Sequence, residues 1–164
     1  MIRKCTDKEI EVIFQIVNDA ATAYKGVIPA DCWHEPYMPL EQLKWEISDG
    51  VCFWGCEDEN GLVGVMGIQD KGEVTLIRHA YVRTDKRNRG FGTQLLRYLE
   101  TTTEKPILIG TWADAVWAVT FYQKNGYRLL PTDEKNSLLK RFWTISPRQI
   151  ETSVVLADAK WKNQ

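Results

Sequence analysis

Apolar residues recur at Ile10, Ile13, Phe14, Val17, Ala20, Ala21 and Tyr24, a spacing of three and four that lays one stripe along a helix. Thr6-Asp7-Lys8-Glu9 just before them has the form of a capping box, in which Thr6 and Glu9 satisfy each other's free amides. Residues 2–5 are expected to form a short strand ahead of it. A second helix is expected to open at Pro39 and end before Gly50. The stretch 25–38 between them is irregular and rich in aromatics and prolines. Strands are then expected at 51–57, 62–69 and 73–83. They are separated by Asp58-Glu59-Asn60-Gly61, where Asn-Gly favours a hairpin, and by Asp70-Lys71-Gly72. A helix over 90–100 turns Leu95, Leu96 and Leu99 inward. A strand follows at 107–112, and then a helix carrying Val116, Val119, Phe121 and Tyr122, stopped by Asn125-Gly126. A strand at 127–130, a helix at 133–143 and a closing strand at 152–157 complete the pattern, with the tail 158–164 expected to fray.

This order predicts a single α/β domain over residues 1–164, with about seven strands in a mixed sheet and four or five flanking helices. Antiparallel hairpins come first, and the later strand–helix–strand units call for parallel neighbours. The composition is ordinary for a globular protein, at 44% hydrophobic and 26% charged residues. A formal charge of −1 gives no field to gather nucleic acid or an anionic membrane, so neither is expected as a partner. No apolar run approaches the roughly 20 residues that span a bilayer. The start, Met1-Ile2-Arg3-Lys4-Cys5, lacks the apolar core of a signal peptide, so a cytoplasmic protein is expected. The four cysteines show no metal-ligand spacing and are read as reduced thiols, with no metal cofactor.

The most informative segment is Arg83-Thr84-Asp85-Lys86-Arg87-Asn88-Arg89-Gly90-Phe91-Gly92-Thr93, between a strand and a helix. A helix N-terminus offers unpaired amides and the positive end of a dipole, and glycines let backbone approach a ligand closely. Between Arg83 and Arg89 there are four positive charges and one negative one. The alternative is a tight turn with a solvated basic face. The spacings of a dinucleotide-binding fingerprint and of a Walker A loop are both absent.

Arg87-Asn88-Arg89-Gly90-Phe91-Gly92 resembles the Gln/Arg-x-x-Gly-x-Gly/Ala motif of the GNAT N-acetyltransferases. The strand Ile77-Arg78-His79-Ala80-Tyr81-Val82 is similar to that family's fourth strand, and Ala118-Val119-Thr120-Phe121-Tyr122-Gln123-Lys124-Asn125-Gly126-Tyr127 to its Ala-x-x-Phe-Tyr-x-x-x-Gly-Phe/Tyr segment. The resemblance implies a GNAT acyl-CoA N-acyltransferase fold and acetyl-CoA as cosubstrate. It implies that amides of Asn88, Arg89, Gly90, Phe91, Gly92 and Thr93 hold the pyrophosphate, with Arg87 shaping or charging the loop. A bulge near Ala80-Tyr81-Val82 would open the backbone of Tyr81 and Val82 to the pantetheine arm, with the Val82 amide polarising the thioester carbonyl. Ala118 would contact the coenzyme, and Tyr122 would protonate the leaving thiolate; two packed core aromatics are the alternative for Phe121 and Tyr122. Ala115 stands where the family often has Asn, and Thr84 where it usually has Pro.

The proton acceptor has more than one candidate. Leu76 occupies the position at which some relatives carry a carboxylate. Glu73 and His79 are the candidates, against a solvated turn residue and a packed structural histidine. For the acceptor, Trp33 and Tyr37 suggest an aromatic wall with Asp31 and Glu35 drawing an ammonium group. Arg78 suits an acidic acceptor or pairs with a carboxylate at the core edge, and Trp112 is placed to line the cleft. A small amine or amino-acid-like acceptor is expected. A protein N-terminus or lysine, or a non-catalytic acetyl-CoA sensor or partner module, is the alternative. Pairing through the strand at 152–157 suggests a homodimer.

Overall fold

The computed structural model describes residues 1–162. Its strands are β1 Ile2–Lys4, β2 Cys52–Asp58, β3 Gly61–Asp70, β4 Thr75–Val82, β5 Ile107–Trp112, β6 Arg128–Leu129 and β7 Ser153–Ala157. Its helices are α1 Ile10–Ala21, α2 Leu40–Ser48, α3 Phe91–Glu100, α4 Val116–Lys124, α5 Thr132–Phe142 and α6 Pro147–Glu151. The mixed α/β architecture is the one expected, with one helix more than anticipated. That helix is α6, a short turn with Ser146 accepting from the Gln149 amide and Pro147 at its first position.

Two compact units are present. The first contains residues Met1–Ala23, His34–Asp70 and Ile77–Glu104. Its strands run in the order β1-β2-β3-β4, and β1–β2 and β2–β3 pair antiparallel. The capping box forms as expected: Glu9 Oε1 accepts from the Thr6 amide at 2.9 Å, and a short 3₁₀ turn leads into α1. The β2–β3 hairpin turns on Glu59-Asn60, with Asp58 paired to Gly61. Gly61 is thus the first strand residue rather than the turn's second, because Asp58 Oδ1 accepts from the Asn60 amide at 2.8 Å and closes the turn early. Ile16, Val17, Met38, Leu43, Phe53 and Val65 form the core that fixes α1 and α2 on this sheet.

The second unit contains Tyr24–Trp33, Lys71–Leu76 and Lys105–Gln164. Its strand order is β5-β7-β6, both pairings antiparallel. The expectation that strand–helix–strand units bring parallel neighbours together therefore fails for β5–α4–β6, since β7 enters between those strands. β7 is thus paired along its length with β5 and, at Leu156 and Ala157, with β6 on its other side. The tail expected to fray is held at Trp161, 5% exposed within the cluster of Leu76, Leu108, Leu139, Phe142 and Val155; residues 163–164 lie outside the described residues. Tryptophan is not uniformly a core residue, since Trp112 is buried while Trp45 and Trp117 are exposed.

Candidate active site

The loop after β4 is built in the first unit from bonds that use up most of its basic side chains. Arg83 donates from Nε to the Leu62 carbonyl at 3.0 Å, and Lys86 pairs with Asp58 at 3.0 Å. Arg87 donates to the Ala20 carbonyl near the end of α1 at 3.0 Å. The cations tie the loop to α1, β3 and the hairpin, so its shape is set by bonding rather than by a solvated basic face. Asn88 and Gly90 are both left-handed, at φ 62° and 84°. Gly90 is the N-cap of α3, and no side chain caps that helix's first turn. The opening amides of α3 therefore face outward behind backbone that only a residue tolerant of positive φ adopts cheaply. Free amides and the helix dipole together suit a phosphate group. The residues fit the anion they were expected to hold.

On β4 the irregularity falls at His79, φ 55°, one residue before the expected segment. In a regular strand Arg78 and His79 would point to opposite faces. Here both reach one oxygen: Glu46 Oε1 lies 2.9 Å from Arg78 NH2 and 2.7 Å from His79 Nε2. Glu46 sits on α2 and is 2% exposed. Burial pushes its carboxyl up, but the His79 hydrogen bond and the His79 and Arg78 charges outweigh this and hold it below its ordinary value. Arg78 also donates to Gln69 Oε1 at 3.2 Å, and Gln69 donates to the Asp49 carbonyl at 3.0 Å. Gly67 permits the close approach of β3 here, since a Cβ on it would meet the Arg78 carbonyl at 2.9 Å. With both ends of its guanidinium engaged, Arg78 takes the core-edge pairing rather than the role of contact for an acidic acceptor.

In the second unit, α4 carries Ala118 and Tyr122 one turn apart. Tyr122 is 6% exposed, edge-on to Phe121 and Tyr127. Burial, with a smaller contribution from Tyr24, pushes its hydroxyl above the usual phenol range, so it keeps its proton until a strong base appears.

Residues 49–129 match the family model described as an acetyltransferase (GNAT) domain. The chain belongs to the GNAT acetyltransferase family. The matched domain makes it an acyltransferase of the N-acetyltransferase type. A GNAT-family acetyltransferase from Staphylococcus aureus Mu50 superposes with a TM-score of 0.71 at 18% identity, over 96% of this chain and 97% of that one. The PaiA N-acetyltransferase of Thermoplasma acidophilum, solved with coenzyme A, gives 0.70 at 16% identity, over 98% of each chain. A GNAT-family acetyltransferase from Elizabethkingia anophelis with acetyl-CoA bound gives 0.61 at 20% identity, over 96% of each. At these identities the likeness is one of fold. Among curated proteins, no sequence match is found.

The departures of this GNAT chain from the family pattern have local causes. Thr84, where proline is usual, donates its amide to Asp19 Oδ2 at 2.9 Å, a bond that proline lacks. Leu76 is fully buried in the second unit's apolar cluster. Ala115 is buried as the N-cap of α4.

The base and acceptor candidates sort unevenly. Glu73 lies ahead of β4 in the second unit, exposed and ion-paired to Arg141, which matches the solvated turn alternative. Asp31 is exposed and ion-paired to Arg148 at 2.9 Å. Trp33 belongs to the second unit and Tyr37 to the first, where it stacks on His34 with centroids 6.3 Å apart. Trp112, 7% exposed, closes β5 opposite Ser153. Sequence reasoning missed Glu46. Its signal was a carboxylate three residues after Leu43, on the inward stripe of an amphipathic helix. Asp19 and Gln69 carried no such signal.

Proposed function

We propose that this chain transfers the acetyl group of acetyl-CoA to the primary amine of a small or amino-acid-like molecule, by direct attack of the amine on the thioester. One observation carries this reading: the uncapped start of α3 behind left-handed Asn88 and Gly90. Coenzyme A and acetyl-CoA in two proteins of the same fold support the choice of anion.

Acetyl-CoA brings an activated acyl group, and the protein holds and orients it. Amides of Asn88, Arg89, Gly90, Phe91, Gly92 and Thr93 take the pyrophosphate, while Arg87 keeps the loop in shape from the Ala20 carbonyl. Beyond the irregularity at His79, the backbone of Tyr81 and Val82 lies along the pantetheine arm, and the Val82 amide donates to the thioester carbonyl as charge builds there. Ala118 gives α4 a small side chain against the coenzyme, and Tyr122 supplies the proton for the departing thiolate. A small acceptor suits polar groups recessed as far as His79, whose side chain is 14% exposed.

The test is calorimetry with acetyl-CoA, coenzyme A and NAD, followed by a thiol-release screen with 2-phenylethylamine, spermidine and lysine methyl ester. Both coenzyme A species should bind and NAD should not, and Gly90→Asp should weaken binding at least tenfold by adding an anion to the loop. Failure of either coenzyme A species to bind at millimolar concentration sinks the reading. So does coenzyme binding without thiol release from any amine.

A further inference from the structure

An amine near neutral pH is mostly an ammonium ion with no lone pair to attack a carbonyl carbon, so a proton must leave first. Leu76, at the position where some relatives carry a carboxylate, has no group to take it, and Glu73 is ion-paired outside β4. We propose that His79 takes this proton on Nδ1 and that Glu46 is the positioning residue that holds the ring for it. The proposal rests on the amine-acetyltransferase reading above.

The backbone gives the first argument. A non-glycine residue at φ 55° costs about 1–2 kcal/mol, and such strain persists only where the surroundings over-determine it. Here the surroundings are Glu46, 2.7 Å from Nε2, and Phe53, stacked on the ring with centroids 6.1 Å apart. The positive φ moves the ring from the face strand alternation would assign it to the carboxylate that Arg78 also contacts.

Proton accounting gives the second. Glu46 is ionised and accepts, so Nε2 carries the hydrogen of the neutral ring and the lone pair is on Nδ1. Nδ1 has no hydrogen-bond partner among the described residues. The buried side-chain nitrogen and oxygen atoms lacking a partner there are Glu134 Oε1 and Trp161 Nε1. Nδ1 is not one of them, so it is open to solvent and to an incoming ammonium.

Charge gives the third. The charged groups around the ring are Glu46 and, through Gln69, Asp49 on the α2 side, and Arg78 on β4; β2 contributes the uncharged Phe53 and α2 the amide of Gln42. Two carboxylates against one guanidinium leave the shell at −1 with a neutral ring and at zero with a protonated one. Such a shell draws an ammonium in and accepts its proton without burying excess charge. Arg78 keeps Glu46 ionised in both states. In the step itself the ammonium N–H bond breaks, its electron pair stays on the amine nitrogen, and the proton bonds to Nδ1. The freed pair then forms the C–N bond as the C–S bond breaks and the thiolate takes its proton from Tyr122; the second N–H proton of the new amide nitrogen leaves through solvent, which restores the Tyr122 hydroxyl, and His79 returns its own proton to solvent.

His34 and His79 are the chain's two histidines, so a ¹⁵N-histidine NMR titration of the whole chain assigns His79 by difference with His79→Asn. Asparagine tolerates positive φ. The wild-type pH profile of kcat/KM, measured with whichever panel amine releases thiol, should rise with the NMR midpoint of His79. His79→Asn should lose that limb and at least a hundredfold of rate while changing the calorimetric Kd for acetyl-CoA less than twofold. Glu46→Gln should move the NMR midpoint and the kinetic limb down together. A limb that survives in His79→Asn, or an NMR midpoint that moves in Glu46→Gln while the limb stays, overturns this proposal alone. A wild type that releases thiol with no amine overturns the acetyltransferase reading and this proposal with it.

Discussion

Gly90 and Gly72 share the same backbone angle, φ +84°, and neither is crowded. A Cβ on Gly90 meets its nearest atom, Gln94 Nε2, at 3.9 Å, and one on Gly72 meets nothing within 4 Å. Alanine at either position therefore introduces backbone strain and little else, about 1–2 kcal/mol for an L-residue in the left-handed region. At Gly72 that strain appears in the stability of the free protein or is relieved by the turn, and in neither case touches the coenzyme. At Gly90 the loop has to be left-handed with ligand in place, so the strain appears once, either as lost stability or as lost affinity. In a chain of this length it is worth about 2–8 °C of Tm if the free loop stays left-handed. If the free loop relaxes, it is worth roughly 5–30-fold in Kd for coenzyme A. Thermal denaturation and calorimetry on both variants measure the two parts. The sum of stability and binding losses for Gly90→Ala should come to about 1–2 kcal/mol, with Gly72→Ala binding coenzyme A like the parent. A zero sum at Gly90, or equal loss of affinity at Gly72, refutes the claim that this residue's geometry builds the anion site.

Three further outcomes follow from the geometry. Tyr122→Phe should lower kcat at least tenfold with KM for acetyl-CoA within twofold, read by thiol release; unchanged turnover would remove Tyr122 from the chemistry. Leu76→Glu, which restores a carboxylate some relatives carry, should destabilise the chain by more than about 4 kcal/mol in urea because the position is fully buried; a stable variant would contradict the packing of β4. The hydrogen bonds from Arg3, and that from the Thr6 amide, hold Glu9 down to about 2 against an ordinary 4.5. Its contribution is thus complete above pH 4.5 and lost as pH falls toward 2, so Glu9→Gln should flatten that acid limb of the stability profile and cost about 1 kcal/mol at pH 7.

Local patterns in the chain announced the parts that local chemistry determines. The capping box at Thr6–Glu9, the helix stop at Asn125-Gly126 and the α3 loop depend on residues within a few positions of one another, and each formed as its residues predicted. The placement of β7 between β5 and β6 depends on which strands meet across some forty residues, and no periodicity encodes that. The network at His79 was half legible. A bulge was foreseen and a histidine noted, but the partner lies 33 positions away on a helix. Only an acidic residue on an apolar stripe hinted at it. Asp31 shows the opposite failure: an acid in an aromatic loop looked available until Arg148, 117 residues later, was found on it.

The position of β7 sets an order on synthesis. A nascent chain that has reached Glu151 already contains β5 and β6, yet both lack the strand that each pairs with in the finished unit. Their hydrogen-bonding edges and the apolar side chains of Leu108 and Leu139 stay without Val155 until the five residues of β7 emerge. Chaperone binding to ribosome-bound chains should therefore persist until residue 157 clears the exit tunnel and drop abruptly afterward. A premature stop within those five residues would leave half the molecule to the proteases.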